Sequence, residues 1–287
     1  MAATPPIVLT IAGFDPSSGA GVTADLKTIA AHQCYGVACI TALTVQSTRG
    51  VRRTEPLRPG TVTETLQELL ADVQIAAVHI GMLANAGIVA AVADVLEQNR
   101  LPHVVLDPIL RSSSGAELLD ASGTRLLVER LAPLAEVMTP NRGEAAVLTG
   151  MPVSDMEQMN AAAAALHSFG VANVVITGGD MEKATDLLSF RTASGTQERE
   201  VFKSERLKSA STHGTGCAFS SALACHLALN RGMPEAVLLS KAYVSAAIAH
   251  AYPVGHGAGP LHHLFRMNRQ RRAVARVPEA EAAHSRS

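Results

Sequence analysis

Tryptophan is absent from this 287-residue sequence and aromatic side chains make up only 3% of it. The interior therefore has to be filled by Ala, Val, Leu and Ile, the mixture expected of parallel strands covered by helices. An excess of charge of either sign is also missing: the formal net charge is -1, which gives no overall electrostatic reason to expect binding to nucleic acid or to a membrane surface. Cysteine is scarce. Cys34, Cys39, Cys217 and Cys225 show neither C-x-x-C spacing nor a metal-ligand pattern with the histidines, so a reducing, cytoplasmic setting is expected. No apolar run approaches the roughly 18 residues of a membrane span, and the first apolar segment is too short for a signal peptide.

What is present is a series of short apolar runs, each ending in turn-forming residues. Ile7 to Ile11 runs into Asp15-Pro-Ser-Ser-Gly-Ala-Gly21, and the segment from Asp25 to Cys34 reads as the crossover helix that follows. Asp15-Pro16 either opens a plain turn or belongs to a ligand loop, because open α/β sheets collect ligands at the carboxyl ends of their strands. Val37 to Val45 is the next strand and ends at Gln46, whose amide can offer a donor and an acceptor side by side to a heterocycle. Val51 to Leu57, with Arg52, Arg53 and Glu55, reads as an exposed edge strand or flap. Thr61-x-x-Glu64 and Ser154-x-x-Glu157 fit capping boxes that open helices.

Further strands end at Gly81-Met82, at Asp107-Pro108, at Thr139 before Pro140-Asn141, and at Thr177-Gly178-Gly179. An acid at a buried strand end needs a partner, which leaves Asp107 either metal or nucleotide work or a helix-capping role. Asn141 and Glu144, three apart on a short helix, share a face. They either hold a hydrated Mg²⁺ together or are a chance N-x-x-E. After Gly179 the pattern changes to antiparallel strands, Asp186 to Arg191 and Arg199 to Phe202.

The stretch Ser211 to Phe219 sets two glycines, Gly214 and Gly216, before a long apolar helix. Such a turn is either an anion site, where free helix N–H groups meet a ligand, or only a tight entry to a core helix. Cys217 is expected to have a lowered pKa at the helix N-terminus and to serve as base or nucleophile; the alternative is an inert buried thiol. No internal repeat or linker interrupts the pattern. A single domain over residues 1–266, followed by a disordered tail from 267 to 287, is the expectation.

Several of these motifs occur together in a known order. Ala12-Gly-Phe-Asp-Pro-Ser-Ser-Gly-Ala-Gly21, Ala24-Asp-Leu-Lys-Thr28, Ile40-Thr-Ala-Leu43, Ile80-Gly-Met-Leu83, Thr139-Pro-Asn141, Glu144-Ala145, His213-Gly-Thr-Gly-Cys217 and Val254 to His263 closely resemble the hydroxymethylpyrimidine/phosphomethylpyrimidine kinases of thiamine biosynthesis. The resemblance covers about residues 6 to 265. It implies a ribokinase-like three-layer α/β fold: a mostly parallel central sheet flanked by helices, with a small antiparallel fringe. The activity implied is ATP-dependent phosphorylation of 4-amino-5-hydroxymethyl-2-methylpyrimidine and then of its monophosphate.

The resemblance also implies roles. Gln46 would read the pyrimidine, with Gly13, Ala20, Asp25 and Met82 around the substrate. Gly214, Thr215, Gly216 and Cys217 would act at the transferring phosphate, with Cys217 as base. Asp107, Asn141, Thr177, Gly179 and His213 would face the nucleotide, and Asp107, Asn141 and Glu144 would organise Mg²⁺. A homodimer is expected. Two positions depart from the family pattern, which usually has lysine where this chain has Ser113 and Thr177; Arg111 or Lys183 is the candidate replacement for the missing charge. Pyridoxal kinase shares the fold and the glycine-rich anion hole, but Gln46 and Cys217 favour the pyrimidine enzyme. A relative that binds the pyrimidine without catalysis is the remaining alternative.

Overall fold

A computed structural model describes residues 4–192, 194–207, 209 and 211–267. The tail expected from 267 onward lies, except for Met267, outside these residues. Nine strands form one sheet: β1 (Ile7–Phe14), β2 (Tyr35–Ser47), β3 (Gly50–Pro56), β4 (Ile75–Ile80), β5 (Val104–Leu106), β6 (Val137–Met138), β7 (Asn173–Ile176), β8 (Lys183–Arg191) and β9 (Gln197–Glu205). Their spatial order is β3-β2-β1-β4-β5-β6-β7-β8-β9. The six strands from β2 to β7 pair in parallel. Strand β3 at one end and β8 and β9 at the other are antiparallel.

Alternation along nearly continuous apolar strands sends neighbouring side chains to opposite faces. Leu9, Ile11, Val78, Ile80, Val104, Leu106, Val174 and Ile176 lie on one face. They pack against helices α2 (Pro59–Asp72), α3 (Ala86–Gln98) and α6 (Met156–His167). Val8, Ala77, Val105, Val137 and Val175 occupy the other face, under α1 (Gly21–Ala31), α7 (Thr215–Ala228) and α8 (Met233–Ala249). Two shorter α-helices among the described residues are α4 (Ala121–Leu126) and α5 (Arg142–Thr149). The three layers, the mostly parallel sheet and the antiparallel fringe agree with the fold that the resemblance implies.

Two expected helix starts are displaced. Helix α2 begins at Pro59, whose fixed φ suits the first turn, so Thr61 lies inside the helix and its hydroxyl caps nothing. Helix α6 is capped by Asp155, which accepts from Gln158 N–H, while Ser154 donates its hydroxyl to the Gln158 side chain. A capping box does form where none was expected. Asn141 Oδ1 accepts from Glu144 N–H at 2.9 Å, and Glu144 Oε2 accepts from Asn141 N–H at 2.9 Å.

The chain leaves β1 outward through α1 to β2, then returns on the other side of β1 as β4. Strand order reverses there. The crevice at the carboxyl ends of the strands around such a reversal is where open α/β sheets bind ligands.

Candidate active site

A cavity of about 730 Å³ occupies this crevice. Its wall is built from strand ends: Gly13 and Phe14 at the end of β1, Gln46 on β2, Met82 after β4, Asp107 after β5, Thr139 and Asn141 after β6, and Thr177 after β7. The turn His213-Gly-Thr-Gly-Cys217 closes it from the α7 side. A second cavity of about 1020 Å³ shares Asn141, Gly143, Thr177, Thr215 and Gly216 with the first and extends past Gly179 to α8. The two form one cleft with the α7 N-terminus at the junction.

Gly214 makes that junction possible. It caps α7 with φ 80°, a left-handed conformation that favours glycine, and a Cβ there would lie 2.0 Å from Gly19 O. No side chain caps the helix, and Ala218 is the first residue whose N–H returns to Gly214 O. The amides of Thr215, Gly216 and Cys217 are thus the free donors of the helix end, at the wall of the cavity. Together with the helix dipole they suit an anion.

Two buried acids line the same cavity. Asp107 is buried and its Oδ2 has no hydrogen-bond partner. Burial pushes its pKa up to about 6, an effect that the His79 charge opposes and the Asp25 charge strengthens. Glu144 is pushed up to about 8, first by burial and then by the Asp107 charge. Two such carboxylates are matched to a cation.

Cys217 departs from expectation. Instead of being lowered by the helix N-terminus, its pKa is raised well above the thiol value by burial, with the Asp25, Asp107 and Glu144 charges adding to the effect. At neutral pH the side chain is a thiol.

Asp25 also departs from expectation, because it lines neither cavity. It is fully buried beneath α7, where Thr10 Oγ1 and Ser221 Oγ each donate to it at 2.8 Å and His79 Nδ1 lies 3.4 Å away. Its carboxylate is spent on holding α1, β1, β4 and α7 together. Gly179 lines the second cavity alone, and Gly13, Ala20, Gln46, Met82, Asp107, Asn141, Glu144, Thr177 and His213 to Cys217 all line the first. Asn141 is occupied: its Oδ1 is engaged in the capping box, so its part is to hold Glu144 in place.

Asp15 is the participant that the sequence reading left open. Its buried carboxylate accepts from Ser17 N–H and Oγ–H, Gly19 N–H and Ala20 N–H, and His213 Nε2 lies 2.9 Å from its Oδ2. Burial works against the charge, but the hydrogen bonds from His213 and Ser17 prevail and hold its pKa below the usual carboxylate value. The signal was available in part, since Asp-Pro-Ser-Ser is an Asx-turn sequence, whereas His213 lies far along the chain.

Of the candidate cations, Arg111 lines the first cavity, and Lys183 lines neither. Arg142 lines the second but is held by Asp180, with Nε–Oδ1 at 2.9 Å, and by Ser154 O at 2.7 Å.

Comparison with known proteins gives the chain's family and its structural neighbours. Residues 15–262 match the family described as phosphomethylpyrimidine kinase. The thiamine biosynthesis bifunctional protein ThiED of Geobacter sulfurreducens is 42% identical over 258 residues, 90% of this chain and 52% of that protein, so the chain spans about half of its length. A hydroxymethylpyrimidine/phosphomethylpyrimidine kinase of Haemophilus influenzae is 39% identical over 89% of this chain and 96% of its own. Among solved structures, pyridoxal kinase of Bacillus subtilis in an ADP complex superposes with TM-score 0.82 at 33% identity, covering 92% of this chain and 100% of that one.

Proposed function

Because the chain belongs to the phosphomethylpyrimidine kinase family, we infer that it transfers phosphate from ATP to the hydroxymethyl group of 4-amino-5-hydroxymethyl-2-methylpyrimidine. Phosphorylation of the resulting monophosphate follows, in thiamine biosynthesis. The observation that carries this reading is the shared junction of the two cavities. A heterocycle reader, Gln46, lies in the first, and the free amides of Thr215, Gly216 and Cys217 lie where the first opens into the second.

Phosphoryl transfer asks mainly for positioning and for stabilisation of charge on the transferred group. The pyrimidine is held among Gln46, Gly13, Ala20 and Met82, and its reacting oxygen points to the α7 N-terminus. The second cavity would take the nucleotide, with Thr177 and Gly179 to hold its phosphates and His213 facing them from the first cavity across the junction. The helix amides stabilise the oxyanions as they develop. Cys217 accepts the substrate proton through its small thiolate fraction, which grows as pH rises.

The residues present fit Mg²⁺: Asp107 Oδ2 is a buried oxygen without a partner, and hard oxygen donors are the ligands this ion prefers. Asp107 and Glu144 would hold it, with Asn141 fixing Glu144. Bound there, the ion would neutralise phosphate charge. On the same reading the protein is a cytoplasmic enzyme of one domain over residues 1–266. A homodimer is consistent with the exposed Leu43 and Val45 on β2 beside the edge strand β3.

The likeness to the Bacillus pyridoxal kinase favours a second reading, phosphorylation of pyridoxal. ADP release measured with the pyrimidine alcohol, its monophosphate and pyridoxal separates the two. Turnover of the pyrimidine alcohol and its monophosphate with little on pyridoxal is expected; turnover of pyridoxal alone overturns the assignment.

A further inference from the structure

The Gln46 side chain stands with its amide nitrogen 3.1 Å from His213 Nε2 and its oxygen 3.1 Å from Thr44 Oγ1. Both contacts conflict with the count of hydrogens. Asp15 Oδ2 lies 2.9 Å from the same His213 Nε2, and an ionised carboxylate only accepts, so Nε2 carries a proton whether the ring is neutral or charged. An amide NH₂ against that N–H sets donor to donor. At the other end, the single hydroxyl proton of Thr44 is contested by two acceptors, Phe14 O at 2.9 Å and Gln46 Oε1 at 3.1 Å, and the nearer one leaves Gln46 short of a donor.

A half-turn of the amide, which exchanges two groups of nearly equal size, removes both conflicts. Oε1 then accepts from His213 Nε2–H, a proton shared with Asp15, and Nε2 donates to Thr44 Oγ1. Each end keeps one valence for the cavity, a lone pair on Oε1 and a hydrogen on Nε2. With Gln46 as the reader of the ring, as proposed above, we infer that Asp15, His213 and Thr44 lock its amide in this single orientation and so set substrate selection. The locked amide matches a ring edge with an exocyclic amino group beside an unprotonated ring nitrogen. The 4-oxo counterpart presents a carbonyl beside a ring N–H, and it fits only the reversed amide, which restores both conflicts.

Asp15, His213 and Thr44 are positioning residues here. Their signature is a change in preference between two rings, which a loss of folding or of phosphate binding does not produce. The test compares kcat/KM for 4-amino-5-hydroxymethyl-2-methylpyrimidine and for its 4-oxo counterpart in the wild type, Thr44→Val, His213→Leu and Gln46→Leu. The wild type prefers the amino ring. Thr44→Val and His213→Leu, which release opposite ends of the amide, each narrow that preference by about 2- to 10-fold, the bias of one hydrogen bond. Because a ratio is read, a common loss of turnover in His213→Leu cancels. If that variant is too slow to assay, calorimetric Kd values for the two rings give the same ratio. Unchanged affinity for the amino ring in Gln46→Leu overturns the assignment of Gln46 as reader. Lost affinity in Gln46→Leu together with an unchanged ratio in the other two overturns the lock alone.

Discussion

Lys241 Nζ lies 2.7 Å from Asp186 Oδ2, and the other oxygen of that carboxylate accepts the Gly178 N–H at 3.0 Å. A side chain of α8 therefore anchors the glycine turn beside the second cavity through one intervening acid. The pair is nearly enclosed, with side-chain exposures of 11% and 6%. Removing one partner of a buried pair leaves the other charge without compensation, at a cost of about 3 to 5 kcal/mol. Lys241→Met is accordingly expected to lower the urea midpoint markedly with an unchanged slope, and to raise KM for ATP more than KM for the pyrimidine. Unaltered stability and ATP affinity would show that the turn holds itself.

The thiol of Cys217 gives a pH signature. With its pKa above the ordinary thiol value, the deprotonated fraction is small at neutral pH and increases tenfold per unit on the acid side of the pKa. Wild-type kcat is expected to climb into the alkaline range. Cys217→Ala should lose that climb and fall by roughly 10²- to 10⁴-fold, the usual contribution of a positioned base, while its unfolding curve stays close to wild type. A flat profile, or a decrease of less than severalfold, makes the thiol a wall of the anion site only.

His226 and His263 set an acid limit on stability. Burial pushes both down to about 4 from an ordinary 6.5; His32 and nearby arginines add to the effect at His226, and Lys27 does at His263. The unfolded chain takes up these protons below about pH 6.5 and the folded one does not until about pH 4. Their contribution is complete above the upper value and is lost as pH falls through the window, by up to about 1.4 kcal/mol per pH unit for each ring. Urea unfolding at pH 7, 6 and 5 should show this slope, and His226→Gln should flatten it. An identical slope in the variant rules the ring out as its source.

Thr177 lines both cavities, and Arg142 beside it is committed to Asp180. Thr177→Lys therefore adds a charge to a rim where Arg142 is already engaged, and a severalfold lower KM for ATP is expected. Arg111 lines the first cavity, so Arg111→Ala should raise KM, with Thr177→Lys restoring it. Silence of both single variants refutes a need for a cation here.

Much of this site was legible in the sequence, because strand ends marked by Gly13, Gln46, Met82, Asp107 and Thr177 have to gather along one edge of a parallel sheet. What escaped depends on contacts between distant segments. The resemblance implies a place beside the substrate for Asp25, yet its helical phase turns it inward to Thr10 and Ser221. The shift at Cys217 has the wrong sign when judged from the helix end alone, since burial of the thiol dominates it and the charges of Asp25, Asp107 and Glu144 arrive from three other elements. Pro59 overrode the cap signal at Thr61, a purely local competition that the sequence did contain.

The contact between the two glycine loops also imposes an order on the chain's own manufacture. Asp15 meets His213, 198 positions later, and Asp25 meets Ser221, 196 positions later. At ordinary synthesis rates an interval on the order of 10 to 40 s separates the members of each pair. Until α7 is made, the Val8, Ala77 and Val105 face of the sheet has no α7 or α8 to cover it, and the Asp25 carboxylate has no Ser221. The opposite face, packed by α2, α3 and α6, already has its helices. On the ribosome, the layer that carries the anion site is the last to close.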